Sequence, residues 1–490
     1  MKPQVIVIGA GIGGLTTSIR LAKAGFRVIV LEQSDVPGGK LKQMQLGAYR
    51  FDRGPSLLTL PELITELGAM AGIQKSWTYT KLDSVQYVHF EDGTFFSSGS
   101  SPEQLADVLS GQNLAAKPQV LRFFKRATRY YQTTASVFLK QSLHKPRSYF
   151  NKTTLRALMR FPLTAVLSKM AGRNQTLFKN EKVQQFFNRY ATYNGSHPYC
   201  APALLNMIPH LEFCTGAFFP NRGMVSIPQY LHEAARHLGV EFYFNSRVTQ
   251  INQWNQSTWR VCTSTRDFEA PVIVNNTDVH FFYTRLAPQL KYPHRFKVAE
   301  KSSSAYVFFW GINRQFKNLQ VHNVFFSKHY KQEFDAIFKQ HEAPQDPTVY
   351  VHISSKICTQ DAPYGHENWF VMVNVPHNAN QAPVGYGKEL RQRVINKLNR
   401  MLGVYLENHI VCEAHQDPFT IETETSSFGG SLYGNASNSK WSAFLRHPNF
   451  KSSAKGLYFV GGSVHPGGGI PLCIYSGHIT ADLIEKEYAL

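Results

Sequence analysis

The sequence predicts an α/β fold in which one Rossmann-type unit, assembled from both ends of the chain, is interleaved with an α+β unit and a basic helical region. Three observations predict it. The N-terminal run "VIVIGAGIGGLTTSIRLAKAGFRVIVLEQ" reads as strand, glycine turn, helix and second strand. A second glycine-rich turn, "VGGSVHPGGGIPL", stands at residues 460–472. Between them, residues 304–375 carry the strand-like runs "SAYVFFWGI", "TVYVHIS" and "WFVMVNV".

A chain of 490 residues with 43% hydrophobic content is long enough for two or three domains around a large core. No run of about 18 apolar residues suggests a membrane span, and the N-terminus enters a strand pattern directly. Neither a signal nor a transit peptide is evident. The six cysteines are scattered without a CxxC pair, which points to reduced thiols in the cytoplasm and gives a metal site no support. Net charge is +19, of which the window 117–189 holds sixteen Lys or Arg against the single acid Glu181. Such asymmetry points to an anionic partner, unless it is simply a solvated face.

The first loop carries the most information. Val5 to Ile8 form a short buried strand. Gly9, Gly11 and Gly14 satisfy G-x-G-x-x-G, and the helix that follows ends at Gly25. The glycines allow a tight turn and let the helix N-terminus approach a pyrophosphate, which the helix dipole favours. The second strand, Arg27 to Leu31, closes on Glu32, 18 residues past Gly14. An acid there accepts hydrogen bonds from an adenosine ribose and repels a 2′-phosphate, so NADP is disfavoured. A merely tight βα turn would leave the acid unexplained.

Two downstream segments choose among dinucleotides. "DVPGGKLKQ" brings Gly38, Gly39 and Lys40 together, and "YRFDRGPSLLT" gives a strand followed by Gly54, Pro55 and Ser56. Both resemble the flavoprotein pattern of the amine oxidase and phytoene desaturase superfamily, in which an FAD-binding domain of amine oxidase-like type is split along the chain. The resemblance implies FAD. It makes Gly9, Gly11, Ile12, Gly13 and Gly14, with Glu32 and Gln33, cofactor-binding residues. Gly39 and Lys40 then support the pyrophosphate, and Gly54, Pro55 and Ser56 approach the flavin.

FAD is long, and one helix N-terminus covers only its middle. The C-terminal turn has the form that covers the flavin end: a strand from Leu457, a turn at Gly461 and Gly462, and a helix from Pro471. The resemblance adds Gly462, Ser463, Gly469 and Ile470 to the cofactor site. Many flavoproteins carry an acid where Ser463 stands, whereas Ser or Thr with His-Pro-Gly is usual in carotenoid desaturases. A third piece, "FFPNRGMVSIPQYLHEAARHLGVEFYFNSRVTQI", leads to Val248, placed by the family against adenine. "VIVNNTDV" resembles the family's return strand and brings Asp278 to the same site. Together these identify a resemblance to bacterial-type phytoene desaturases, nearest the branch that introduces a 3,4 double bond into hydroxylated or γ-carotene-like substrates.

The resulting division gives the FAD-binding domain residues 1–75, 219–280 and 415–490. Residues 76–218 form a mainly helical, basic, membrane-facing part of the substrate domain, and residues 281–414 a sheet-containing part that floors a pocket. Aromatic and basic residues mix in "LRFFKRATRYYQTTASVFL". Such mixtures bind nucleic acid in other proteins, but no nucleic-acid motif accompanies this one. A polyene dissolved in lipid makes the membrane surface the better partner, with the protein peripheral on the inner face of the cell membrane. Desaturation needs a hydride acceptor and loss of a proton, with oxygen or a quinone taking the electrons. His465 is the one ionisable side chain that sequence places beside the flavin loop, as proton acceptor or as a brace for the Pro466 turn. Two other readings share the fingerprint: a flavin amine oxidase, and an FAD-free lipid-binding protein resembling GDP-dissociation inhibitors.

Overall fold

The computed structural model describes residues 2–145, 163–255, 257–377, 385–439 and 445–488. A five-stranded parallel sheet lies at its centre, in the order Leu457–Phe459, Val272–Asn275, Gln4–Ile8, Arg27–Leu31, Glu241–Tyr243. Val5, Val7, Val30, Val272 and Val274 are fully buried, as unbroken β-branched runs covered on both faces should be. Register matters for function here. Ile8 pairs with Leu31 and with Asn275, and Asn275 pairs with Phe459. Four strands therefore end level, and the loops that follow them emerge at one carboxyl edge, where open α/β sheets bind ligands.

Helices cover one side. Ile12–Lys23 packs against the C-terminal helix Ile470–Glu487, which begins directly after the second glycine turn. Gly477 permits the approach: a Cβ there would stand 2.7 Å from Thr16. Arg20 secures the pair at its far end through Asp482, at 2.7 Å.

A seven-stranded sheet forms the second body of the protein. Its order is Ile410–Gln416, Ser304–Ile312, Glu367–Val375, Val349–Ile353, His322–Phe325, Tyr87–His89, Phe95–Ser97. All nine residues of Ser304–Ile312 are buried, and they alternate between two environments. Tyr306, Phe308 and Trp310 pack under the helix Tyr386–Leu402, while Ala305, Val307 and Phe309 join the main core on the opposite face. That second face is the one turned toward the cofactor domain.

The two bodies are locked by an ionic strut. Arg50, on the hairpin Lys42–Leu46/Tyr49–Arg53, reaches Asp361 at 2.6 Å and Asp52 at 2.9 Å. Asp52 also accepts backbone N–H bonds from Met224 and Val225, at the start of the helix Ser226–His237. Both carboxylates are essentially inaccessible. Every charge in the strut is hydrogen-bonded, so burial is compensated.

The structure adds to the sequence reading in two places. Within residues 76–218 strands stand beside the helices: Tyr79–Lys81, Tyr87–His89 and Phe95–Ser97 are strands, the last two completing the second sheet. Aromatic and β-branched runs flank Asp92-Gly93, a hairpin signal, and Gly93 takes the required positive φ of 83°. The strand Ile410–Gln416 also runs two residues past the expected boundary at 414, because its partner Ser304–Ile312 continues beside it.

Candidate cofactor and substrate cavity

One cavity of about 470 Å³ runs from the carboxyl edge of the parallel sheet to the inner face of the second sheet. Its first end is built by the N-terminal loop. Gly9, Gly11, Ile12 and Gly13 line it, and the helix that starts at Ile12 has no side-chain cap. Its first N–H groups are thus left to the cavity, an arrangement suited to an anion. Gly14 does not line the cavity. Its role is packing, since a Cβ there would stand 2.2 Å from the Gly9 carbonyl oxygen.

Glu32 is buried at the end of the second strand, and its carboxylate accepts N–H bonds from Ala10 (2.7 Å) and Ser34 (2.9 Å). These bonds hold it beside the glycine turn, with lone pairs remaining for hydroxyl donors. Gln33 and Val248 line the same end. Gln33 itself is fixed by donating to the Glu424 carbonyl at 3.0 Å.

The second glycine turn enters beside the first. Gly461, Gly462, Ser463, Gly469 and Ile470 line the cavity, and the C-terminal helix likewise begins at Gly469 without a side-chain cap. Asn276 stands between the two turns. A Cβ added to Gly11, Gly13 or Gly461 would come within 2.9, 3.0 or 2.7 Å of its amide. Asn276 Nδ2 donates to the Gly9 carbonyl at 3.1 Å, so one side chain couples both loops. Asp278 caps the following turn, accepting from His280 N at 2.8 Å, while Ser463 Oγ accepts from Val279 N at 3.1 Å. Ser463 therefore joins the turn at Asp278 to the second glycine loop.

Gly39, Lys40, Gly54, Pro55 and Ser56 complete the wall. Lys40 donates to the Leu432 carbonyl at 2.7 Å; burial lowers its pKa, and Asp278 and Cys473 oppose the shift. Two uncapped helix N-termini, a lysine, and glycines whose absent side chains leave a continuous trough fit a dinucleotide diphosphate.

His465 lies elsewhere. It is buried, does not line the cavity, and its Nε2 donates to the Gln141 carbonyl at 2.9 Å. The His465 carbonyl accepts from Ser476 Oγ and Asn449 Nδ2. Burial pushes its pKa down to about 3, so it is a neutral imidazole at physiological pH. This placement corrects the proton-acceptor option, which lacks access to the cavity. It is the geometry of a side chain that braces the turn.

Sequence reasoning missed the opposite end of the cavity. Arg189, Tyr193, Glu212 and Tyr350 line it, among apolar Ile208, Leu211, Val307 and Phe370. Arg189 belongs to the basic window, yet it is only 9% exposed. The apolar spacing of Val183, Phe186, Phe187 and Tyr190, all buried, was the available signal that Arg189 sits beside an inward face.

Among relatives, residues 12–485 match the family described as flavin containing amine oxidoreductase. The chain is 44% identical to a 1-hydroxycarotenoid 3,4-desaturase of Flavobacterium sp. (strain P99-3), over 99% of this chain and 100% of that one. It is 32% identical to a 4,4'-diapolycopene oxygenase of Methylomonas sp, covering 99% and 98% of the two chains. Among solved structures, putrescine oxidase bound to putrescine superposes with a TM-score of 0.65 over 99% of each chain at 14% identity, a likeness of fold.

Glu32→Ala removes a charged acceptor placed for ribose hydroxyls. Affinity for a flavin dinucleotide, titrated by fluorescence, should fall by about 1.5–3 kcal/mol, and Gly11→Val should abolish binding. Unchanged affinity in both variants would contradict this reading of the trough.

Proposed function

The chain belongs to the flavin containing amine oxidoreductase family, and from that premise we propose that it is an FAD-dependent carotenoid desaturase. Its substrate is a hydroxylated or γ-carotene-like polyene, and the bond it dehydrogenates is the 3,4 single bond. One observation carries the reading: the trough built by both glycine loops opens into an apolar chamber floored by Ala305, Val307, Phe370 and Met372. Full-length identity of 44% to a desaturase that acts at this bond supports the same conclusion.

Within this reading Glu32 and Val248 hold the adenosine. The N-termini at Ile12 and Ile470, with Lys40, hold the diphosphate and the flavin end, and Gly54 to Ser56 border the ring. FAD supplies the hydride acceptor. The residues of the chain position a C–C bond against it and exclude water with the apolar sheet face. Oxygen or a quinone takes the electrons. Expressed in bacteria that make a hydroxylated carotenoid precursor, the protein should shift the pigment's absorption to longer wavelength. An unshifted spectrum from cells containing flavin-loaded protein would refute the activity.

The polyene has negligible concentration in water, so the enzyme docks on membrane. Among the described residues no helix is long and apolar enough to cross one. On the helix Lys117–Thr134, Arg122, Lys125, Arg126 and Arg129 are all exposed. The helix Leu163–Leu167 exposes Leu163 and Leu167, one turn apart, at 63% and 61%, and packs with the basic helix on Ala203–Met207. Exposed leucines beside exposed cations suit an anionic lipid surface. Residues 146–162, also in the basic window, lie outside the described residues. Not all of the window faces lipid: Arg189 lines the cavity, and Lys182 pairs with Asp92. At about 1 kcal/mol per cation near the surface, reversing Arg122, Lys125, Arg126 and Arg129 to Glu should release the protein from anionic liposomes and leave bound FAD unchanged. Cosedimentation equal to wild type at low salt would place the dock elsewhere.

A further inference from the structure

Beside the apolar floor of the chamber, one part of its wall holds charge. The Arg189 guanidinium donates from Nη1 to Gln86 Oε1 at 2.7 Å, its one side-chain hydrogen bond within the described residues. It lies 5.7 Å from the ring centroid of Tyr193 and 5.6 Å from that of Tyr350. Burial works against its charge, but the surrounding oxygens of Tyr193, Tyr190 and Glu212 more than offset this and raise its pKa. Glu212 is 1% exposed. Its Oε2 accepts from the Tyr190 hydroxyl at 2.7 Å and the Tyr193 hydroxyl also supports the carboxylate, while Oε1 has no hydrogen-bond partner of good geometry within the described residues. Burial raises the Glu212 pKa, and Tyr193, Tyr190 and Arg189 resist that rise.

A buried guanidinium with unspent N–H groups and a buried carboxylate with an unspent oxygen are costly in an apolar chamber. A hydrocarbon end group could relieve neither. A hydroxyl relieves both, because it accepts one hydrogen bond and donates another. We propose that Arg189 and Glu212 bind the hydroxyl of a hydroxylated polyene, Arg189 donating a hydrogen bond to its oxygen and Glu212 accepting one from its O–H. They thereby select that substrate over the hydrocarbon.

Position supports the assignment. Tyr350, beneath Arg189, is held by Ser56 Oγ at 2.7 Å and by His322 Nδ1 at 2.6 Å. Ser56 lies on the turn that borders the flavin ring in the desaturase reading, on which this inference rests. A hydroxyl at carbon 1 is only two carbons from a reacting 3,4 bond, so its binding groups must stand near that turn. A tunnel mouth or a distant end would be the wrong place. The cluster stands at the right one.

Two polyenes that already carry the extra double bond, one hydroxylated and one its deoxy counterpart, bind without turnover and separate recognition from chemistry. Each would be delivered in detergent micelles to the FAD-loaded protein, and its Kd read from quenching of protein fluorescence. Wild type should prefer the hydroxylated polyene by about tenfold or more, the scale of one charge-assisted hydrogen bond. Arg189→Met and the near-isosteric Glu212→Gln should each cut that preference to less than about threefold. They should do so by weakening the hydroxylated ligand alone. The deoxy polyene's Kd and the flavin spectrum monitor folding in both variants. A preference retained in both variants, absent from wild type, or lost through equal weakening of both ligands would overturn the assignment. If neither polyene binds wild type, the desaturase reading itself fails.

Discussion

The site depends on the close approach of two glycine turns around Asn276. Parallel register ends four strands level, so the turns after Ile8 and Phe459 leave the sheet on either side of the strand that delivers Asn276. Its backbone N–H donates to the Ile8 carbonyl at 2.9 Å and its side chain to Gly9 at 3.1 Å. Side chains at Gly11, Gly13 or Gly461 would invade this space. Two segments more than 440 residues apart in sequence thus meet because one strand and one amide fix their separation. Both uncapped helix N-termini then face one trough.

From that trough outward, each layer constrains the next. The Arg50–Asp52–Asp361 strut joins the hairpin beside the trough to the second sheet, and Asp52 also fixes the start of the helix Ser226–His237. The second sheet offers one alternating face to its covering helix and the other to the chamber. The cavity is consequently polar where a diphosphate would lie and apolar where a polyene would lie. Arg189 and Glu212 place charge at its far end. A small polar amine has no use for so apolar a chamber, which is why likeness of fold to putrescine oxidase does not extend to substrate.

Much of the cofactor end was legible in the sequence, because its residues are fixed by local backbone rules. Gly9, Gly11 and Glu32 follow from a turn, a helix start and a strand end at set spacing. Lys40 and the Gly54 turn needed the family resemblance. Gly14 was legible as a necessary glycine but not as a packing residue; the Gly9 carbonyl and the Asn276 amide opposite explain it. The substrate end was hidden for a different reason. Arg189 and Glu212 are 23 residues apart on separate short helical segments, and Tyr350 comes from a distant strand. No period or motif joins the three, and only the apolar spacing of Val183, Phe186, Phe187 and Tyr190 distinguished Arg189 from the surface cations of the basic window. His465 shows the converse. Adjacency to the flavin loop in sequence left proton transfer and bracing both open, whereas its ring points to Gln141 and away from the cavity.

The central claim is that one continuous cavity holds a flavin and a polyene in reacting contact. Anaerobic addition of a hydroxylated polyene to the oxidised, FAD-loaded protein tests it most directly, with flavin and polyene absorption followed together. The account predicts loss of the oxidised flavin band in step with a shift of the polyene to longer wavelength, one equivalent of each. A polyene that binds tightly while both spectra stay unchanged would contradict it.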